Sequence, residues 1–382
     1  MSRRSRVRCA VLLVSALGCA GHRPPPVIPV PPLPPDVVTV SLYLIGDAGK
    51  PETTGEPVLL ALRRDLVSRR SPRVVVFLGD NVYPRGLPAP ARPGRREAER
   101  HLIAQVEAVT SSGASGYFVP GNHDWAKDGP DGWDAIRRQE AFVDSVSGGR
   151  VSLQPRGGCP GPTVVDIGSR LRLVLLDTQW WLHRGPKPRD PGSSCATDAE
   201  SEVVDSLRAA LTGGSGRLVV LTEHHPLRSG GVHGGNFDWK DHIFPLREIK
   251  PWLWIPLPLI GSLYPAARQQ GISNQDIPSR AYQRLIRAFR TALTAAPPAL
   301  YAAGHEHNLQ VLSGGMARLE LVSGSGIYGH SGPAVTIDGT LFARRASGYA
   351  RLDIPQAGPA RLAVLEVDAG GGSREVFSTG VE

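Results

Sequence analysis

The sequence predicts a layered α/β domain, because short apolar runs alternate with amphipathic stretches along most of its 382 residues. Most apolar runs end in a turn, and the stretch that follows usually carries apolar residues at helical spacing. A composition of 41% apolar and 20% charged residues is that of a globular protein. No internal repeat and no shift in composition marks a second domain.

The predicted elements follow in order. Strand–turn–helix units come first, with strands in 37–49, 73–83 and 116–125 and helices in 57–70, 96–109 and 133–146. An antiparallel pair at 163–168 and 171–181 precedes a helix at 199–213, a strand at 217–226, a helix at 282–296 and a strand at 299–308. The remaining C-terminal residues are expected to be mostly strands. Ligands of such sheets bind beyond the carboxyl ends of the strands.

Residues 1–18 are interpreted as an export signal, with a basic start and an apolar run too short to span a bilayer. Cys19 follows at a position that resembles a bacterial lipoprotein cleavage site. We therefore expect export to the periplasm or the cell surface, with a lipid on Cys19 as the membrane contact. The alternative is a cysteine that merely ends the leader. Leader arginines supply half of the net charge of +8, and no basic run remains to favour nucleic acid as the main partner.

Residues 19–36 are rich in proline and predict an extended tether, which leaves 37–382 as the folded domain. Cys159 and Cys195 are the cysteines beyond the tether, and export favours a disulfide between them over two free thiols. The apolar stretch 250–265 is broken by prolines, so it is not a transmembrane helix. It is either a loop packed on the core or an exposed flap that touches a membrane or caps an active site.

Five motifs with metal-type ligands follow apolar runs: GDAG, GDNVY, GNHD, EHHP and GHEH. A single aspartate or histidine at a strand end is more often a helix cap or a satisfied polar group. Five motifs at strand ends instead predict one shared site. Two metal ions need a bridging carboxylate and separate terminal ligands, and oxygen and imidazole donors suit zinc, manganese or iron(II). In EHHP, either His224 or His225 could be the ligand.

This series of motifs resembles the metallophosphoesterase (calcineurin-like) superfamily, and most closely the purple acid phosphatases of the small tartrate-resistant type. Two details carry the closer resemblance. Asp47 is followed by Ala-Gly instead of the Asp-x-His of most of the superfamily, and Tyr83 stands three residues after Asp80. The resemblance covers residues 42 to 326 and implies two packed mixed β-sheets flanked by helices.

The resemblance also implies a role for each site residue. An iron(III) ion would be held by Asp47, Tyr83 and His307. A divalent ion (iron, zinc or manganese) would be held by Asn122, His224 and His305, with Asp80 bridging the two ions. The position two residues before the proline selects His224 over His225. His123 and His233 would contact the substrate, with Asp124 orienting His123.

The implied activity is that of an acid phosphatase, which hydrolyses phosphomonoesters by attack of a metal-bound hydroxide. His123 and His233 would stabilise the phosphoryl charge, and one of them would protonate the leaving oxygen. Two alternatives stay open. The same site could act on a nucleotide or another phosphodiester, because selectivity depends on the loops 84–96, 126–132 and 228–275. The chain could also be a surface lipoprotein without catalysis. The sequence predicts no oligomeric state.

Overall fold

The computed structural model describes residues 28–189, 193–214, 216–248, 252–257 and 260–382. In chain order its strands are β1 (Val38–Ile45), β2 (Arg73–Leu78), β3 (Ser115–Val119), β4 (Val151–Leu153), β5 (Thr163–Ile167), β6 (Leu171–Leu175), β7 (Leu218–Thr222), β8 (Leu300–Ala303), β9 (Leu309–Ser313), β10 (Leu319–Ser323), β11 (Thr340–Arg344), β12 (Gly348–Pro355), β13 (Ala360–Val367) and β14 (Ser373–Val381). Its α-helices are α1 (Pro57–Ser68), α2 (Arg95–Thr110), α3 (Gly132–Ser147), α4 (Thr178–Leu182), α5 (Glu200–Thr212), α6 (Trp239–Ile243), α7 (Leu263–Gln269) and α8 (Arg280–Ala295).

The strands form two mixed sheets of seven strands each, which confirms the predicted fold class. The first sheet has the order β14-β13-β12-β1-β2-β3-β4, in which β1 to β4 are parallel and β12 to β14 are added antiparallel. The second has the order β11-β9-β10-β8-β7-β6-β5, with a parallel centre of β6, β7, β8 and β10. The central parallel strands of both sheets carry the predicted site motifs at their carboxyl ends.

The core is divided into two layers that follow the alternation of side chains along each strand. On β1, Leu42 and Leu44 point into a cluster that contains residues of both sheets, whereas Tyr43 and Ile45 point into a cluster with the helices. All four are fully buried. A strand that is covered on both faces is apolar throughout, which explains the continuous apolar runs seen in the sequence.

Helices α1 and α8 begin at side chains that cap them. Glu56 accepts a hydrogen bond from the Val58 backbone at the start of α1, and Pro57 occupies the first helical position. At the start of α8 the Ser279 hydroxyl accepts from the backbone nitrogen of Tyr282. These starts lie within a few residues of the predicted ones.

The antiparallel pair of β5 and β6 is confirmed, but the second strand ends earlier than predicted. Residues 178–182 form helix α4, because the Asp177 carboxylate accepts from the backbone nitrogen of Trp180 and caps the helix. The predicted disulfide between Cys159 and Cys195 is also confirmed. It joins the segment after β4 to the segment before α5.

The leader and Cys19 lie outside the described residues, as does the tether up to residue 27. The described end of the tether contacts the domain, since the Val30 carbonyl accepts from Arg361 Nε at 2.8 Å and from the Ser378 hydroxyl at 3.0 Å. Ordered contacts of the first sheet therefore extend a few residues before the predicted boundary at 37. Within the described residues, no helix combines the length and hydropathy needed to cross a bilayer.

The stretch 250–265 is described in part, without residues 250, 251, 258 and 259. Its large side chains are exposed rather than packed in the core: Trp252 by 69%, Ile260 by 65% and Leu263 by 67%. The Trp254 ring contacts the Phe244 ring, with 5.3 Å between centroids. The interpretation as a loop packed on the core is therefore wrong for these residues, because their apolar surface faces solvent.

Candidate metal centre

The five motifs meet at one place between the two sheets. Backbone hydrogen bonds tie their loops together: Asp47 N donates to the Gly79 carbonyl at 3.0 Å, and Gly304 N donates to the His224 carbonyl at 3.0 Å. Asp47, Asp80 and His305 all have left-handed backbones, with φ of 57°, 54° and 69°. Left-handed φ is uncommon outside glycine, so three such residues at one place mark a special turn geometry.

Two motif glycines allow the loops to approach Asp80 closely. A Cβ atom on Gly49 would lie 2.4 Å from the Asp80 carbonyl oxygen, and one on Gly121 would lie 2.3 Å from the Asp80 backbone nitrogen. Both distances are far below van der Waals contact, so only glycine fits. The three motif loops therefore lie so close together that only glycine fits at Gly49 of GDAG and at Gly121 of GNHD.

Tyr83 is not an ordinary loop aromatic. Its Oη lies 3.0 Å from Asp47 Oδ1, 3.1 Å from Asp80 Oδ2 and 3.2 Å from His307 Nε2. A phenol has one proton and can donate it to only one of these three acceptors at a time. The two carboxylates and the ring nitrogen converge on one oxygen, which is the arrangement expected of four ligands around a cation.

The second half of the centre is built from His224, His305 and Asn122. His224 Nδ1 donates to the Leu78 carbonyl at 2.8 Å, so Nε2 of the neutral ring carries a lone pair. His305 Nε2 donates to the Gln275 carbonyl at 2.9 Å, so its Nδ1 carries a lone pair. These two lone-pair nitrogens face each other at 3.1 Å, and His224 Nε2 also lies 3.1 Å from Asn122 Oδ1. Electron pairs at this distance repel unless a cation or a proton lies among them.

His225 is also close to this group, but its nitrogens are engaged elsewhere. Nδ1 contacts the Thr178 hydroxyl at 2.8 Å, and Nε2 contacts Gln275 Oε1 at 2.9 Å. A donor atom of His225 does lie within 4.8 Å of donor atoms of His224 and His305. Because both of its nitrogens already have partners, His225 fits a supporting position better than a ligand position.

The charges of the centre favour a bound cation. Asp47 and Asp80 are both buried, and Asp47, Asp80 and His224 offer donor atoms within 4.8 Å of one another. Burial raises the pKa of Asp47, and the neighbouring Asp80 carboxylate raises it further. Buried carboxylates of this kind are stabilised by positive charge, so the donor set fits metal ions.

His123 lies over Tyr83, with 4.2 Å between the ring centroids. Its Nδ1 donates to the Pro84 carbonyl at 2.7 Å, and its backbone nitrogen donates to Asp80 Oδ1 at 2.8 Å. Burial is the main cause that lowers the pKa of His123, to about 4. The ring is therefore oriented by a backbone carbonyl of the GDNVY loop.

The expectation that Asp124 orients His123 is not met. The Asp124 carboxylate accepts hydrogen bonds from backbone nitrogens of Gly121 at 2.7 Å, Asn81 at 3.1 Å and Val82 at 3.1 Å, and from the Asn81 side chain at 3.0 Å. These four donors occupy the lone pairs of the carboxylate, so Asp124 has no lone pair directed at the His123 ring. Asp124 instead holds the GNHD loop against the GDNVY loop.

His233 joins the site from the segment after β7, as expected from the sequence. Its ring centroid lies 4.0 Å from that of His305. Its Nδ1 lies 3.0 Å from Asp276 Oδ1, a carboxylate oxygen that accepts, and 3.1 Å from a guanidinium nitrogen of Arg268. Arg268 holds Asp276 with two hydrogen bonds of 2.5 Å. Burial would raise the pKa of Asp276, but the hydrogen bonds from His233 and Arg268 outweigh it and lower the pKa. Nothing in the sequence pattern pointed to Asp276, which lies in a polar loop 43 residues from its partner.

Glu306 and His330 are two further residues that the motifs did not identify as functional. Glu306 lies between His305 and His307, and its Oε1 accepts from the Gly234 backbone at 3.0 Å, which braces the turn that carries His233. The His330 ring lies 4.3 Å from the His307 ring. Burial is the main cause that lowers the pKa of His330, to about 4. The GHEH motif could have suggested Glu306, whereas His330 has no motif.

The comparisons with known proteins agree with this fold. No family model matches the sequence, and no curated protein does. Among solved structures, the chain is similar to GAP50, the anchor in the inner membrane complex of Plasmodium. The TM-score is 0.54 at 15% identity, over 90% of this chain and 89% of that one.

The chain is also similar to the purple acid phosphatase PPD1 isolated from yellow lupin (Lupinus luteus) seeds. The TM-score is 0.51 at 14% identity, over 91% of this chain. The match spans 55% of the lupin chain. Identities this low show a shared fold alone, so the resemblance to a metallophosphoesterase-like fold holds at the level of architecture.

Proposed function

We propose that this chain is an exported phosphomonoesterase with a two-metal centre. The observation that carries the proposal is the pair of facing lone-pair nitrogens, His224 Nε2 and His305 Nδ1, at 3.1 Å. Each ring donates its other N–H to a backbone carbonyl, as metal-binding histidines usually do. The disulfide between Cys159 and Cys195 fits an oxidising compartment outside the cytoplasm.

The ligand assignment follows the two groups of converging atoms. Asp47, Tyr83 and His307 would hold an iron(III) ion, and Asn122, His224 and His305 would hold a divalent ion of iron, zinc or manganese, with Asp80 shared by both. Bound cations of this kind supply Lewis-acid chemistry and make water a nucleophile near neutral pH. The remaining side chains would bind and orient the phosphate ester.

His123 and His233 are the candidates for that second task. Each has its Nδ1 engaged, by the Pro84 carbonyl and the Asp276 carboxylate respectively, so each leaves Nε2 available to a substrate. A protonated Nε2 can donate to a phosphoryl oxygen or to the oxygen of the leaving alcohol. We assign proton donation to His233, because the Asp276 carboxylate accepts from its Nδ1 and so fixes the orientation of the ring. His123 would then hold a phosphoryl oxygen in its protonated form, because in the neutral ring Nδ1 keeps the proton for the Pro84 carbonyl and Nε2 carries a lone pair.

A second candidate function is binding without turnover, which the similarity to an anchor protein favours. Under this alternative the metal centre would stabilise a surface used by a partner. Against it, every side chain that the phosphatase assignment needs is present at the centre, including His123 and His233. The presence of both substrate-contacting histidines is not required for a purely structural metal site.

Hydrolysis assays distinguish these functions. The purified chain should release 4-nitrophenol from 4-nitrophenyl phosphate faster than from the diester bis(4-nitrophenyl) phosphate at equal concentration. Asp80→Ala should abolish this activity, because the shared ligand of both ions is lost. A faster rate on the diester would replace the monoesterase assignment, and no hydrolysis of either ester by metal-loaded protein would favour the binding role.

A further inference from the structure

An exposed apolar surface lies on the segment that leads into helix α7. We define the apolar flap as five side chains with relative exposures from 47% to 69%: Trp252, Trp254, Ile255, Ile260 and Leu263. Single exposed apolar side chains are normal on a protein surface, whereas several of them in one short segment mark a binding surface. Removing these side chains from water would contribute to the free energy of binding.

The backbone of this segment is suited to an apolar medium. Residues 251–267 contain no charged side chain, and four of them are prolines, which have no N–H group. Leu257 N donates to the Ile243 carbonyl at 2.7 Å, and Gly261 N donates to the Leu257 carbonyl at 2.6 Å. Because a backbone N–H without a partner is costly in lipid, these features lower the cost of moving the segment out of water.

Two aromatic rings, each with a cation nearby, flank the apolar flap. The Lys240 ammonium lies 5.8 Å from the centroid of the Trp239 ring, and the Arg268 guanidinium lies 5.6 Å from that of the Tyr264 ring. Both aromatic side chains are exposed. Tryptophan and tyrosine are enriched where a membrane meets water, and a lysine beside them can reach lipid phosphates. The flanks of the apolar flap therefore have the chemistry of a membrane interface.

A protein partner fits this surface less well than lipid does. Specific protein–protein interfaces carry about one hydrogen bond per 100–200 Å² of buried area. Among residues 252–257 and 260–263, the polar side-chain groups are two indole N–H groups and the Ser262 hydroxyl, and that hydroxyl already contacts His242 Nδ1 at 3.1 Å. A surface with so few hydrogen-bonding groups matches hydrocarbon chains better than another polypeptide.

Helix α7 connects the apolar flap to the candidate centre. Leu263 and Tyr264 begin this helix, and Arg268 near its end donates to the Tyr264 hydroxyl at 2.7 Å. Arg268 also donates to Asp276, whose Oδ1 lies 3.0 Å from His233 Nδ1. The apolar flap and the His233 side of the centre therefore belong to one connected group of contacts.

We propose that the apolar flap inserts into the outer part of a lipid bilayer and holds the domain at the membrane surface. Its five side chains would lie at the boundary between headgroups and acyl chains, as in proteins that lie on a membrane without crossing it. Trp239 and Tyr264 would lie at the depth of the headgroups, with Lys240 near the lipid phosphates. The inference does not depend on the proposed function, because lipid binding needs neither metal nor hydrolysis.

Quenching of tryptophan fluorescence by lipids with brominated acyl chains tests the insertion directly. The full chain is titrated with vesicles of brominated phosphatidylcholine and phosphatidylglycerol. Residues 1–36 contain no tryptophan, so a leader or a lipid on Cys19 can attach the chain to a vesicle without placing a tryptophan in its hydrocarbon. Of the seven tryptophans, four are buried or half-buried in the domain: Trp125, Trp133, Trp180 and Trp181. Quenching therefore reports on the exposed ones.

Leu263→Asp and Ile260→Asp each place a charge in the apolar flap at an exposed position, so the fold should be kept. Half-maximal quenching should need at least about tenfold more lipid in each variant, since burial of one such side chain alone accounts for about that factor. Val67→Asp on helix α1, at a position exposed by 61%, is the matched control and should behave like the parent chain. Trp252→Phe combined with Trp254→Phe should still sediment with vesicles, while its quenching falls.

A parent chain that brominated lipid does not quench, or equal quenching of the parent, Leu263→Asp and Ile260→Asp, would overturn the proposal. A dimer that Leu263→Asp dissociates, found by sedimentation equilibrium together with an absence of quenching, would assign the surface to a second copy of the chain instead. An assay with 4-nitrophenyl phosphate without lipid keeps the two proposals apart. Quenching without hydrolysis would refute only the phosphatase, and hydrolysis without quenching would refute only the membrane insertion.

Discussion

His224 Nε2 lies 3.1 Å from His305 Nδ1, while the other nitrogen of each ring donates to a backbone carbonyl. The tautomers are set by these carbonyls, which can only accept. In the neutral rings the two lone pairs therefore face each other in a buried site, and they share this position with Asn122 Oδ1. A divalent cation would remove the repulsion, which is why this contact carries more weight than the presence of histidines in the sequence.

Tyr83→Phe is predicted to bleach the protein. Without a cation, burial and the neighbouring carboxylates raise the pKa of Tyr83 well above its usual value. A trivalent cation favours the phenolate, and a phenolate on iron(III) absorbs visible light. The iron-loaded parent chain should show a visible band that the variant lacks, and Tyr328→Phe, an exposed control, should keep it. A band that survives Tyr83→Phe would refute the ligand role.

Asp124→Asn is predicted to destabilise the fold around the centre and not merely to slow turnover. An amide nitrogen in place of one carboxylate oxygen would face the N–H groups that now donate to it. We expect the free energy of unfolding of metal-free protein to fall by about 1–3 kcal/mol, measured by denaturant titration. Asp131→Asn, at an exposed position, should change it little. Unchanged stability with slower turnover would restore the orienting role for Asp124.

Asp276→Asn is predicted to lower kcat at least tenfold with metal content unchanged. The amide would hold the His233 ring less firmly, because its oxygen is a weaker hydrogen-bond acceptor than a carboxylate oxygen. Steady-state kinetics and metal analysis on the same sample check this result. Asp238→Asn, in the neighbouring segment, serves as the control. Loss of metal in Asp276→Asn would mean that the residue supports the centre itself.

Asp177→Asn is predicted to change how stability depends on pH. Burial is the main cause that raises the pKa of Asp177, to about 7 in the folded chain. Between the unfolded value of about 4 and this value, the folded chain holds a proton that the unfolded chain lacks. The free energy of unfolding contributed by this group is therefore present below pH 4 and lost as pH rises through 7.

The variant lacks this contribution, so the stability of the parent relative to Asp177→Asn should fall by on the order of 3 kcal/mol between pH 4 and pH 8. Denaturant titrations of metal-free protein at several pH values measure the difference. Asp166→Asn, at an exposed carboxylate, should show no such trend over this range. A difference that stays constant with pH would contradict the pKa shift of Asp177.

The sequence predicted the elements and the gathering of the motifs, because buried parallel strands leave continuous apolar runs and because strand ends meet at one edge. Asp47, Asp80 and His305 each follow such a run directly. The partners of His123 and His233, the two histidines that we assign to the substrate, could not be predicted in this way. Asp276 contacts His233, and the Pro84 carbonyl contacts His123. Both partners lie on loops, and the path of each loop depends on tertiary contacts.

Asp124 and Lys127 show the same limit. A carboxylate next to His123 in the sequence suggests a partner for its ring, yet the backbone turns Asp124 toward the GDNVY loop. The left-handed turn at Ala126, Lys127 and Asp128 contains no glycine or asparagine, the residues from which such a turn is usually predicted. Backbone direction, and not residue type, decides where the Asp124 carboxylate lies.

The metal content of purified protein tests the central claim most directly. After equal dialysis, the parent chain should hold two metal ions per chain. His224→Ala should hold no more than one, because the divalent ion loses a nitrogen ligand. His225→Gln should still hold two, because that side chain only supports the centre. A parent chain without bound metal, or a loss of metal in His225→Gln but not in His224→Ala, would contradict the two-metal account.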